Sequence, residues 1–211
     1  MYTVGILSQF MQNPGPVHWE GVKQIISYLN TTKNYSLTFG GTSKDLLKVS
    51  AMPTGQAKRT DWHSISGYTF YLGSGVITWS LKRQHVIMLS STESEYIAQM
   101  HTAKEALWIQ SFIIEIQGQQ SGPIELHCDN QGVIVLAKDN KLHSCTKHID
   151  LQYHFIQEAV EDNKLVVKYI PTKENVADIF TKAIHRLKFE GFVKRLGLRD
   201  NGGKEERTTK P

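Results

Sequence analysis

The sequence predicts an α/β fold: a mixed sheet with helices packed against it. Three observations carry this. "SGYTFYLGSGVITWS" reads as two alternating strands about Gly73-Ser74-Gly75, a hairpin with a Gly-containing loop. "STESEYIAQMHTAKEALWIQSFIIEIQG" places Tyr96, Met100, Ala103, Leu107 and Ile114 on one helical stripe. Two short apolar strands, "IELHCD" and "KLVVKYIP", each give way to a helix-forming stretch.

Taken in order, "YTVGILSQFMQ" is a short apolar helix. "NPGPVHWEGVKQIISYLN" is a longer amphipathic one. Pro16 suits its first turn, and Trp19, Val22, Ile26 and Leu29 recur at helical spacing. Lys33-Asn34 breaks it and "YSLTF" is extended. After the hairpin, "HVIMLS" reads as a further strand. Ser91 is a plausible N-cap for the long helix, and Gly118 ends it. "NQGVIVLAK" and "HIDLQYHFIQEAVED" are helices separated by a polar loop. Pro171 closes the last strand, and "ENVADIFTKAI" and "LKFEGFVKRLGL" are helical. The polar residues from Arg199 to Pro211 predict a disordered tail.

The chain has 211 residues, 40% hydrophobic and 21% charged, with a net charge of +4. It is long enough for one domain and a fragment of another. No apolar run approaches the ~20 residues needed to cross a bilayer, which argues against a membrane partner. The N-terminus has no basic region followed by an apolar stretch and cleavage site. Two cysteines, Cys128 and Cys145, make no disulfide framework, so a reducing compartment, cytoplasmic or nuclear, is expected. The modest positive charge permits nucleic-acid binding without requiring it.

Three acidic residues sit where chemistry often sits. Glu95 is early in the long helix, Asp129 ends a strand at a helix start, and Asp178 is early in a helix that follows a strand. Such positions converge at one edge of an α/β sheet. A few carboxylates with waters and substrate phosphates are how hard divalent cations are held. The bland alternative is helix capping, since an acidic residue near a helix N-terminus gains ~0.3–1 kcal/mol from the macrodipole.

"SSTESEYIA", "HCDNQGVIVLAK", "HSCTKHIDLQYHFI" and "YIPTKENVADIFTKAI" together resemble the ribonuclease H domain of copia-type retrotransposon polyproteins. "QFMQNPGPVHWEGVKQIISYL" is similar to the closing segment of that family's reverse transcriptase. The resemblance runs from about Val4 to Leu198. It implies residues 1–40 as a reverse transcriptase remnant (connection or thumb helices), 41–198 as the ribonuclease H-like domain and 199–211 as the tail. It implies a ribonuclease H-like mixed five-stranded sheet flanked by helices. It further implies two-metal hydrolysis of the RNA strand of an RNA–DNA hybrid, with Mg²⁺ or Mn²⁺. Under it Glu95, Asp129 and Asp178 are catalytic metal ligands. Asn130 and Gln131 face the hybrid's minor groove, and Lys147 and His148 lie in a "TKHID" motif that contacts nucleic acid. The reverse transcriptase portion of the same polyprotein is the implied protein partner.

The family's first carboxylate comes from a pattern like Gly-Phe-Ser-Asp-Ala-Asp-Trp-Ala-Gly. Counted back from "SISGY", it should occupy Val49 to Ala57, with the metal-bridging aspartate at Met52. Val-Ser-Ala-Met-Pro-Thr-Gly-Gln-Ala can be written GTT TCA GCG ATG CCG ACT GGG CAG GC. With a G in front and the frame moved one base, this reads GGT TTC AGC GAT GCC GAC TGG GCA GGC, the whole family pattern. The segment 49–57 therefore reads as the motif out of frame, restored before His63. An impaired metal site, a looser first strand and a longer loop from Pro53 to Trp62 are the expected consequences; Asp61 is too far along that loop to substitute.

Two other readings bear on the same residues. His127, Cys128, His143, Cys145, His148 and His154 give only a loose version of zinc spacing. Lys82, Arg83, Lys138, Lys141 and Lys147 would suit a non-catalytic nucleic-acid binder, or an ordinary solvated surface. Trp19, Trp79, Trp108 and Tyr153 lie on regular elements and are expected in the core.

Overall fold

The computed structural model describes residues 2–39, 47–54, 64–72, 75–84, 91–118, 122–138 and 147–202. Helix α1 (Tyr2–Leu7) leads through a 3-10 turn at Ser8–Phe10 to α2 (Pro16–Thr31). Pro16 is the first residue of α2, where a missing N–H costs no intrahelical bond. Strand β1 (Tyr35–Leu37) follows.

The main sheet contains β2 (Leu47–Thr54), β3 (Ile65–Leu72), β4 (Gly75–Arg83), β5 (Ile124–Cys128) and β6 (Leu165–Tyr169), in the order β4-β3-β2-β5-β6. β2, β3 and β4 are antiparallel neighbours, whereas β5 is parallel to β2 and β6 is parallel to β5. A parallel pair needs a long crossover. Helix α3 (Ser91–Gln117) precedes β5. Helices α4 (Gln131–Lys138) and α5 (Lys147–Glu161) lie between β5 and β6.

Each face of the sheet has its own core. On one side Tyr96, Met100, Val133 and Ile156 from α3, α4 and α5 pack with Phe70, Leu126, Leu165 and Val167 of the strands. On the other, Val176, Phe192 and Leu196 pack on Val76. These last residues belong to, or flank, α6 (Asp178–Thr181) and α7 (Arg186–Arg195). Gly67 of β3 faces this second layer, where an added Cβ would meet Thr181 Cγ2 at 2.6 Å.

Several expectations need correction. Arg199 and Asp200 do not belong to a disordered tail: β7 (Leu198–Asp200) pairs antiparallel with β1, and Asn201 N donates to Asn34 O. β1 and β7 therefore form a small second sheet. β2 does not stop before Pro53; it pairs with β3 at all eight positions through Thr54. Pro53 is tolerated because β2 pairs with β5 only over Lys48–Ser50, so no second ladder needs its N–H. The helical stretch around Asp178 is a 3-10 turn (Thr172–Glu174) and a four-residue helix. The tryptophans are not core: Trp19 is 59%, Trp79 47% and Trp108 61% exposed. Helical spacing shows that one side is apolar, but what covers that side is a tertiary matter. Trp108 instead stacks on Phe112 at 5.6 Å. The strand expected at 85–90, the remaining loop 55–62 and the side chain of Tyr153 lie outside the described residues.

Candidate active site

The site is built where β5 ends. Asp129 directly follows the strand, and its Oδ2 accepts a hydrogen bond from Thr172 Oγ1 at 2.8 Å. Thr172 comes from the turn after β6, so two adjacent parallel strands converge on this carboxylate. Asn130 is next. Its Oδ1 accepts from Gly132 N at 2.8 Å and Val133 N at 3.4 Å, capping α4. Its Nδ2 donates to Glu95 Oε2 in a short contact. The side chain expected to face a minor groove is thus engaged at both ends. Gln131 opens α4 and is exposed, and Lys147 and His148 open α5.

Glu95 sits in the second turn of α3, half-buried. Burial pushes its carboxyl above the usual range, the Asn130 bond opposes this, and the Asp129 charge adds to it while Lys182 subtracts. Glu95 and Asp129 are therefore electrostatic neighbours, and Lys182 lies within electrostatic reach of Glu95.

Asp178 is buried. Lys182 Nζ lies 2.9 Å from its Oδ1 and Lys188 Nζ lies 3.0 Å from its Oδ2. The three carboxylates thus form two linked groups, with Lys182 between them. Sequence reading did not single out Thr172, Lys182 or Lys188. Lys182 stands four residues after Asp178 in a helical stretch, a spacing that favours ion pairing and was visible in the sequence. Lys188 and Thr172 lie on other elements and give no such signal.

The register of β2 relates Met52 to Asp129. Ser50 pairs with His127, so Met52 and Asp129 each lie two residues beyond the last β2–β5 pair. On its other side Met52 is paired with Gly67.

Carboxylate oxygens are the donors a hard divalent cation prefers. The arrangement nonetheless does not fit a two-metal site. Both Asp178 oxygens face ammonium groups, and among the described residues no three His, Cys, Asp or Glu side chains gather to hold an ion. Of the zinc alternative, Cys128 is fully buried and burial pushes its thiol up to about 12, so the thiolate that binds zinc is disfavoured, while His143, Cys145 and the side chain of His148 lie outside the described residues.

Among known proteins, the chain is 40% identical over 200 residues to the retrovirus-related Pol polyprotein from transposon TNT 1-94 of Nicotiana tabacum, covering 95% of this chain and 15% of that one. It is 34% identical over 197 residues to the corresponding polyprotein from transposon RE2 of Arabidopsis thaliana, covering 93% and 14%. It thus spans about one seventh of the length of these curated relatives. Among solved structures it is similar to an N-terminal RNase H domain from Mycobacterium tuberculosis, solved as a fusion with maltose binding protein. That match has a TM-score of 0.46 at 12% identity and covers 70% of this chain and 97% of that one. No protein-family model matches the chain. Among the described residues no helix is long and apolar enough to cross a membrane.

Proposed function

The chain belongs to the copia-type retrotransposon Pol family and carries its ribonuclease H-like domain; on that premise we propose that it is a copy of this domain, joined to the closing helices of the reverse transcriptase, that does not cleave RNA–DNA hybrids. The observation that supports this reading is Met52 at the register position beside Asp129. A thioether is a soft, weak donor, and Mg²⁺ or Mn²⁺ is held by oxygen. Without a carboxylate there, and with Asp178 engaged by two lysines, the two cations of family catalysis have no complete set of ligands. Loss of one positioned catalytic group costs several kcal/mol of barrier, and each ~1.4 kcal/mol is tenfold in rate.

The cause we propose is a reading-frame shift across Val49–Ala57. The nucleotide sequence tests it directly: codons there that cannot be shifted into Gly-Phe-Ser-Asp-Ala-Asp-Trp-Ala-Gly rule it out. Transcript sequencing separates a pair of insertions or deletions from a misplaced splice junction.

RNA–DNA hybrid remains the ligand class, with the reverse transcriptase portion of the same polyprotein as partner. Gln131 opens α4 two residues after Asp129, and Lys147 and His148 open α5. Burial, and after it the Lys82 and Lys104 charges, hold His101 below its usual range. Hybrid affinity that falls steeply with salt supports a binding role through phosphate contacts.

The deciding experiment incubates purified chain with end-labelled hybrid and Mg²⁺. No cleavage is expected. Robust cleavage that disappears in Asp129→Asn overturns the proposal. Replacing residues 49–57 by the in-frame motif is expected to give measurable cleavage. If the replaced protein is folded and inert, the missing carboxylate is not the cause.

A further inference from the structure

A groove of about 920 Å³ lies away from the carboxylates, between α2 and β1 on one side and α7 and β7 on the other. It is built from the two ends of the chain, and the β1–β7 pairing fixes its floor: Tyr35 pairs with Asp200 and Ser36 with Arg199. Asn201 Nδ2 donates to Ser36 Oγ at 2.5 Å and braces the same corner.

Its lining combines aromatic rings and cations. Tyr28, Tyr35 and Phe189 contribute rings, with Tyr28 and Phe189 meeting edge to face at 5.9 Å. That contact orients the rings at the wall of an open groove. Burial first, then Tyr35, raise the Tyr28 phenol above its usual range while Thr32 opposes this, so it remains a proton donor. Arg186, Lys194 and Arg199 contribute positive charge. Arg186 is tied to Glu190 by a 2.8 Å ion pair, and Asp200 Oδ1 accepts from Gly202 N. Among the described residues Lys194 and Arg199 have no ion-pair partner.

We infer that this groove binds single-stranded nucleic acid, with bases against Tyr28, Tyr35 and Phe189 and phosphates on Lys194 and Arg199. Aromatic platforms beside cations are how single strands are held without sequence readout, because every base offers a π-face. Its volume falls within the ~300–1,000 Å³ typical of ligand pockets. Helix α7 joins the groove to the carboxylate edge: Phe189 and Lys194 line the groove, while Lys188 on the same helix holds Asp178. The ligand class rests on the nucleic-acid reading of the domain; the placement rests on the groove alone.

Fluorescence anisotropy with full-length protein and labelled oligothymidylate tests this. The wild type is expected to bind. The double variant Lys194→Glu, Arg199→Glu is expected to bind at least ~10-fold more weakly. Its slope of log K against log salt should be shallower by about 1.4, or ~0.7 per lost phosphate contact on a single strand. Tyr35→Ala should weaken binding by on the order of tenfold, and an abasic oligomer should lose about as much on the wild type. Unchanged affinity and slope in variants with wild-type circular dichroism and melting overturn the inference. If a variant fails to fold, ultraviolet crosslinking of wild type to bromouracil-substituted oligomer decides: peptides from α2–β1 or α7 support it, and crosslinks only elsewhere overturn it. Preferential capture of an acidic peptide over the oligomer also overturns it. Hybrid cleavage by the wild type would refute the inactive-domain reading and leave the groove result standing. Absence of oligothymidylate binding by the wild type, with the hybrid still uncut, refutes the groove alone.

Discussion

At the scale of single residues, Asp178 is the most demanding group in the site. A buried carboxylate is stable only with compensation, and Lys182 and Lys188 supply it from two helices. Converting both lysines to methionine is expected to cost about 3 kcal/mol in urea unfolding, because the charge stays buried without a partner. Adding Asp178→Asn to that double variant should recover much of the loss. Equal destabilisation with and without the third change would show that the lysines act by packing and not by charge. Glu95 gives a pH test. Its folded value lies above the ordinary 4.5, mainly through burial. Below 4.5 both folded and unfolded forms are protonated and no penalty exists. As pH rises through the interval up to the raised value, the native state holds its proton longer than the unfolded chain, so stability falls with pH. Glu95→Gln keeps an acceptor for Asn130 and removes the titration. Its melting temperature relative to wild type should therefore rise from pH 4 to pH 7 and level off above; a difference that does not change with pH would contradict the burial of Glu95.

At the scale of elements, the second layer depends on one close approach. Gly67 lets α6 lie against β3, and a Cβ there would sit 2.6 Å from Thr181 Cγ2. Gly67→Ala must push α6 outward or tilt it. We expect about 1–3 kcal/mol of destabilisation, the usual range for overpacking, measured by chemical denaturation. Asp178 should lose its burial at the same time, because it is the first residue of α6. A variant as stable as wild type would mean that α6 does not need this contact. β2 shows the opposite tolerance. Its odd composition, with Met52 and Pro53 in place of the expected motif, still pairs throughout with β3. Backbone pairing is less selective than chemistry: a strand accepts many residues where a metal accepts few.

At the scale of the whole molecule, the site's charges are balanced by the chain itself to a large extent. Asp178 is opposed by Lys182 and Lys188, and Glu95 by Lys182, so folding is expected to need no cation. Addition of Mg²⁺, or its removal by chelator, should leave the wild-type melting temperature unchanged, since only a ligand that prefers the native state shifts it. The same titration on protein carrying the in-frame 49–57 motif should raise it. A marked rise in the wild type would show that the lysines yield to the metal.

The sequence by itself determined the order of hairpin, long helix and the two strand-to-helix crossovers, because periodicity of two or 3.6 is a local property of the side chains. It also singled out Glu95, Asp129 and Asp178 and, through the family resemblance, aligned Met52 with the family's first carboxylate, because a motif is a linear object. Only the tertiary structure decided what each of these residues meets. Asn130 was legible as a site residue, but not that Glu95 and the α4 N-terminus would occupy its amide. The partners of Asp129 and Asp178 come from Thr172 and Lys188, 43 and 10 residues away. Trp19 and Trp108 have the spacing of core residues and lie exposed. The physical reason is common to all of these: local pattern fixes which side of an element is apolar or charged, whereas burial and pairing depend on which other element arrives at that side.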